Sequence, residues 1–146
     1  MTTDELRQKG IETFDEWTAM WNFNLHLAEK IMAPYFILRY AQADTEPFDD
    51  IHRAPELANI IAAWHQKRPG IVFKAEGSAV VDLQVAADGL AGLIARPYIA
   101  SVIGEDGHTV ARSGTDVLRL TGGLISEVWS VSSGAAGRTF YRQEPV

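Results

Sequence analysis

The chain of 146 residues carries 19 Asp and Glu against 13 Lys and Arg, a formal charge of −6, with 47% apolar and 22% charged residues. That size and balance predict one globular domain, 1–146, with a core of its own rather than a disordered or fibrous chain. The acidic excess argues against a nucleic-acid surface, which needs clustered Lys and Arg. No cysteine is present, which excludes a disulfide framework, a thiolate metal site and a thiol nucleophile, and fits a cytoplasmic location.

In chain order, Leu6, Phe14, Trp17, Trp21, Leu25 and Ala28 recur at helical steps and place a bulky stripe on one face of an N-terminal helical region. Its first twenty residues hold Asp4, Glu5, Glu12, Asp15 and Glu16 and lack a signal-peptide pattern. No apolar run approaches the roughly 20 residues that span a bilayer, so no membrane partner is expected. Thr3 or Asp4 is the expected cap, and Pro34 the expected end. Tyr35-Phe36-Ile37-Leu38-Arg39-Tyr40 reads as a short strand, and the acidic stretch 43–50 with Pro47 as a loop. Pro55 opens a second helix with Leu57, Ile60, Ile61 and Trp64 on one face, closed by Lys67-Arg68-Pro69-Gly70.

Beyond Ile71 the pattern changes to strands near 72–85, 90–103, 110–120 and 125–132. Ala87-Asp88-Gly89, Glu105-Asp106-Gly107 and Thr121-Gly122-Gly123 form the turns between them. Short turns predict an antiparallel meander, and helices followed by strands predict an α+β fold with the helices on one face of a curved sheet. Within this meander Asp116 interrupts an apolar strand. A carboxylate there is costly unless it is partnered or protonated, so it either braces the structure or does chemistry.

The run Gly114-x-Asp116-Val-Leu-Arg119-x-x-Gly122-Gly-x-Ile125-x-Glu127-x-Trp129, with weaker support from Asp50-Ile51-His52-Arg53-Ala54-Pro55-Glu56-Leu57, resembles the NTF2-like superfamily in its SnoaL-like and ketosteroid-isomerase-like branch. The resemblance implies a cone-shaped α+β fold enclosing an apolar pocket. It also implies small-molecule chemistry that ranges from isomerases, cyclases and dehydratases to pure binding domains.

By that resemblance Asp116 occupies the position of a neutral carboxylic acid that donates to a developing oxyanion. Alternatively Arg119, Arg112 or a backbone amide satisfies it. The isomerases' general base has no counterpart around Leu38-Arg39-Tyr40, and their helix tyrosine falls near Trp17, which has no hydroxyl. His26 remains as a general-base candidate, with Tyr40 the other group able to move a proton. Arg96 and Tyr98 are expected to orient substrate, unless Asp82 or Asp116 is merely the structural partner of Arg96. Trp21, Phe36 and Arg39 complete the expected binding set, and alternation along the last strand turns Ser130 and Ser132 to the face opposite Trp129.

Two functions follow as expectations. The first is an acid–base enzyme of isomerase, cyclase or dehydratase type, acting beside a carbonyl of an apolar, aromatic or polyketide-like substrate. The second is a non-catalytic ligand-binding or accessory domain. Neither metal spacing nor a phosphate loop is present, so no metal or cofactor is expected. Trp129 on the convex sheet face is expected to form a homodimer.

Overall fold

A computed structural model describes residues 1–142; the last four positions of the expected 1–146 domain lie outside the described residues. Helix α1 spans Thr3–Trp21 and is capped by Thr2, not by Thr3 or Asp4: its hydroxyl oxygen accepts from the Glu5 amide at 3.1 Å. The helical region then breaks where the sequence pattern ran on. Phe23 adopts a left-handed φ of 83°, and a separate short helix α2, Leu27–Ile31, follows. The Asn22 side chain explains the break. It exchanges hydrogen bonds with the backbone of Phe73, at 2.7 Å and 2.8 Å, and so ties the end of α1 to the sheet.

Strand β1, Met32–Tyr40, begins before Pro34 rather than after it. A proline is tolerated there because β1 is an edge strand bonded on one side only, in parallel to the last strand. The expected loop holds a 3-10 helix, Glu46–Asp50, that buries Phe48. Helix α3, Ala54–Lys67, has Pro55 in its first turn and buries Leu57 and Ile61.

The four expected strand runs are five strands: β2 Val72–Ala75, β3 Val80–Ala86, β4 Gly89–Ile103, β5 Thr109–Thr121 and β6 Leu124–Ser132. The sheet order is β1-β6-β5-β4-β2, with β3 also on β4. The run 72–85 therefore follows one edge of β4, antiparallel to it, with four residues (76–79) bulged out opposite Arg96 and Pro97. Pro97 lacks the N–H that a continuous ladder would need, and only its carbonyl is used, by the Glu76 amide at 2.9 Å.

The long strands bend around the helices. Gly92, with φ 135°, brings β4 so close to β3 that a Cβ would lie 2.0 Å from the Asp82 carbonyl oxygen, which places a tight backbone approach in the strand. Fully buried Phe14, Met20, Ile94, Leu118 and Val128 seal one end of the concave face. Toward the other end Ala100, Val102, Val110 and Arg112 are only half-buried. This gradient leaves a cavity between helices and sheet.

Candidate active site

The cavity has a volume of about 660 Å³ and is lined by α1, the 41–48 segment, α3 and the concave faces of β2, β4, β5 and β6. Strand register places its polar groups. Tyr40, Ser130 and Asp116 are lateral partners across β1, β6 and β5, and Tyr98, Gly114 and Ser132 form the adjacent row. Gly114 is what admits the tyrosine. A Cβ at that position would lie 2.4 Å from the Tyr98 hydroxyl oxygen and 2.6 Å from the Val131 carbonyl oxygen. The Gly-x-Asp spacing of β5 thus sets a phenol next to a carboxylate.

Asp116 is 7% exposed. Its Oδ2 accepts a 3.0 Å hydrogen bond from the indole N–H of Trp17 on α1, which is itself buried. Its Oδ1 is buried and has no hydrogen-bond partner among the described residues. Burial pushes the carboxyl up to about 6, opposed by the Ser130 hydroxyl and the Trp17 indole, both of which favour the charged form. None of the braces expected for Asp116 is in place: neither Arg119, Arg112 nor a backbone amide satisfies it. The Trp17 indole and the Ser130 hydroxyl take that place.

The two phenols shift in the same direction. Burial, and then the charge of Asp116, hold both Tyr40 and Tyr98 well above the ordinary tyrosine range. Both stay protonated at neutral pH and serve as donors, not bases. Around them stand aromatic rings. Trp21 packs against Trp17, Tyr40, Phe48, Trp64 and Phe73 with centroids 5.4–6.4 Å apart, and Tyr40 stacks on Phe48 at 4.2 Å.

The expected site residues divide sharply. Asp116, Tyr40, Tyr98, Trp21, Ser130 and Ser132 line the cavity together. His26 is exposed at the start of α2, outside the lining, and is not placed to act as a base there. Arg96 is the lateral partner of Asp116, but its guanidinium turns away. It donates to the Gly77 carbonyl at 3.0 Å and lies 3.6 Å from Asp15 of α1, so neither Asp82 nor Asp116 is its partner. Phe36 is core, absent from the lining. Arg39 points to the convex face, where it bonds Glu127 at 2.6 Å. Trp129 shares that face, with the Arg119 guanidinium 5.2 Å from its ring.

Trp17, Arg68 and Arg112 also line the cavity and were not singled out by sequence reasoning as site residues. Trp17 was visible on the helix stripe, but its partner lies 99 residues away. Among the described residues no group of three or more His, Asp or Glu is placed to hold a metal, and no helix is long and apolar enough to cross a membrane.

Solved structures with this architecture include a candidate polyketide cyclase from Acidithiobacillus ferrooxidans, at 15% identity and TM-score 0.63, covering 85% of this chain and 87% of that one. A candidate isomerase of the SnoaL-like family from Agrobacterium tumefaciens is 22% identical, with TM-score 0.58 and coverage of 87% and 99%. An NTF2-like protein of unknown function from Cytophaga hutchinsonii superposes with TM-score 0.58 at 8% identity, covering 87% and 98%. These likenesses show the fold of an NTF2-like cone. No family model matches the sequence, and no curated protein matches it. At these identities the likeness concerns the NTF2-like cone alone, so chemistry must be argued from the cavity.

Proposed function

We propose that the protein is an acid–base enzyme acting beside a carbonyl of an apolar, ring-containing substrate held in the cone, of isomerase, cyclase or dehydratase type. The observation that carries this reading is a buried carboxyl in the cavity lining, pushed up to about 6 by burial, with one oxygen fixed by Trp17 and the other without a hydrogen-bond partner among the described residues. A base is most effective when its pKa lies near the working pH. At neutral pH Asp116 is mostly ionised, so it abstracts a proton rather than donating one to an oxyanion.

In the proposed step Asp116 Oδ1 takes a proton from the carbon next to the carbonyl. The C–H electron pair becomes the enolate, whose oxygen accepts hydrogen bonds from the neutral phenols of Tyr40 and Tyr98. Return of the proton to a different carbon gives isomerisation. Attack of the enolate carbon on a second carbonyl gives ring closure, with the proton delivered to the new alkoxide. The descriptions of the neighbouring structures as a candidate cyclase and a candidate isomerase are compatible with either ending.

The test is hydrogen–deuterium exchange of a flat cyclic ketone such as 2-tetralone in deuterium oxide, followed by NMR. The protein should accelerate exchange, and Asp116→Asn should lower the rate at least ~100-fold, the low end for a lost general base. Binding of the ketone with no exchange above buffer overturns the enzyme reading in favour of a ligand-binding domain. We also propose a homodimer through the convex face around Trp129. Trp129→Glu should then halve the sedimenting mass, and an unchanged mass removes that proposal.

A further inference from the structure

Four buried side-chain polar atoms lack a hydrogen-bond partner among the described residues: Asp116 Oδ1, Arg68 Nη1, Arg112 Nε and Glu76 Oε2. The first three belong to residues that line the cavity, and the fourth does not. A buried donor left unpaired is costly, and more so when charged, so two such guanidinium donors in one cavity call for an acceptor. The chain holds 19 acidic residues, yet no ion pair among the described residues involves Arg68 or Arg112.

Each guanidinium is held in place by its neighbours. Arg68, at the C-terminal end of α3, lies with its guanidinium carbon 3.7 Å from the centre of the Trp64 ring, which orients its plane. Arg112 donates through Nη2 to the carbonyl of Ala135, which also lines the cavity, and keeps Nε free of protein partners. Arg112 lies four residues before Asp116 on β5, on the same face, so the two are roughly 13 Å apart along the strand at about 3.3 Å per residue. It stands toward the half-buried end of the cavity, away from the sealed end at Leu118.

We propose that Arg68 and Arg112 bind the carboxylate of a flat ring acid whose carbonyl end reaches Asp116, an inference that rests on the acid–base reading of the same cavity. Charge favours one carboxylate over a more highly charged group. The lining carries three cations, Lys67, Arg68 and Arg112, against Asp44 and Asp116. With Asp116 ionised, the surplus is one positive charge. The rest of the lining is mainly aromatic and aliphatic and suits the ring body, while the planar guanidinium offers paired donors to a planar carboxylate.

Calorimetric titration with 2-naphthoate and with its methyl ester, which keeps the rings and removes the charge, tests the assignment. The acid should bind at least tenfold tighter than the ester. Arg68→Gln and Arg112→Gln should each remove that preference while leaving the ester's affinity unchanged. Equal affinity for acid and ester, or a preference that survives in both variants, overturns the proposal. Those outcomes leave the acid–base reading standing, because the ester still reports the apolar cavity and ketone exchange is measured separately. Failure of both ligands to bind overturns the ring-acid assignment outright, whatever the exchange shows.

Discussion

One hairpin, β5 and β6, carries two carboxylates in opposite circumstances. Asp116 faces the cavity, with the Trp17 indole and the Ser130 hydroxyl, both neutral, beside it and a pKa raised by burial. Glu127 faces the other way, between the guanidinium groups of Arg39 at 2.6 Å and Arg119 at 3.2 Å. The hydrogen bond from Arg39 holds its carboxyl below the usual range, against the opposing effect of burial and with further help from Arg119. Strand alternation assigns the faces, and the faces assign the chemistry. A carboxylate with two cations is satisfied and inert, whereas one with only neutral donors in a buried site is poised to take a proton.

Asp116→Asn should break the contrast most completely. Exchange activity should fall at least ~100-fold, while stability above neutral pH should rise. The sign follows from the raised pKa. The folded state binds the Asp116 proton more tightly than the unfolded chain, whose value is near 3.8. Stability from this group is therefore fully present below about pH 4 and is lost as pH rises through about 6. A shift of about two units corresponds to on the order of 3 kcal/mol. Denaturant unfolding of both proteins from pH 4 to pH 8 should show the variant ahead by a few kcal/mol at the upper end and level at the lower.

Gly114→Ala sharpens the contrast by disturbing only the cavity side. The new methyl meets the Tyr98 ring and the Val131 carbonyl, and such overpacking costs about 1–3 kcal/mol. Exchange should drop as the Tyr98 hydroxyl moves away from Asp116, and thermal unfolding should register the strain. Trp17→Phe is milder. Loss of the indole donor removes one group that favours ionised Asp116, so the acidic limb of the pH–rate profile should move to higher pH. The smallest effect belongs to the convex face. Glu127→Gln should leave exchange unchanged and alter stability by no more than about 1 kcal/mol, the range for exposed ion pairs.

Much of this architecture was legible because its punctuation is local. Ala87-Asp88-Gly89 and Thr121-Gly122-Gly123 mark hairpins within a few residues, and Pro55 marks the start of α3. The break after α1 was not legible, since Asn22-Phe23-Asn24 contains neither Gly nor Pro and acts through a bond to Phe73, 51 residues away. The bulge at 76–79 had a signal, Gly77-Ser78, but its cause, Pro97, lies across the strand pair. In the site, Asp116 stood out as a charge in an apolar strand. Trp17, Arg68 and Arg112 did not, because a tryptophan on a helix stripe and an arginine at a helix end are ordinary until the fold gathers them. His26 and Arg96 misled for the same reason in reverse: chemically apt residue types, turned away by local geometry.

The ionisation of Asp116 decides the account. Carbon-13 NMR titration of the selectively labelled carboxyl group, with Asp116→Asn to assign its signal, should give a midpoint of about 6. A midpoint near the ordinary value of 3.8 would show a solvated or fully paired carboxylate and contradict the assignment of Asp116 as the base.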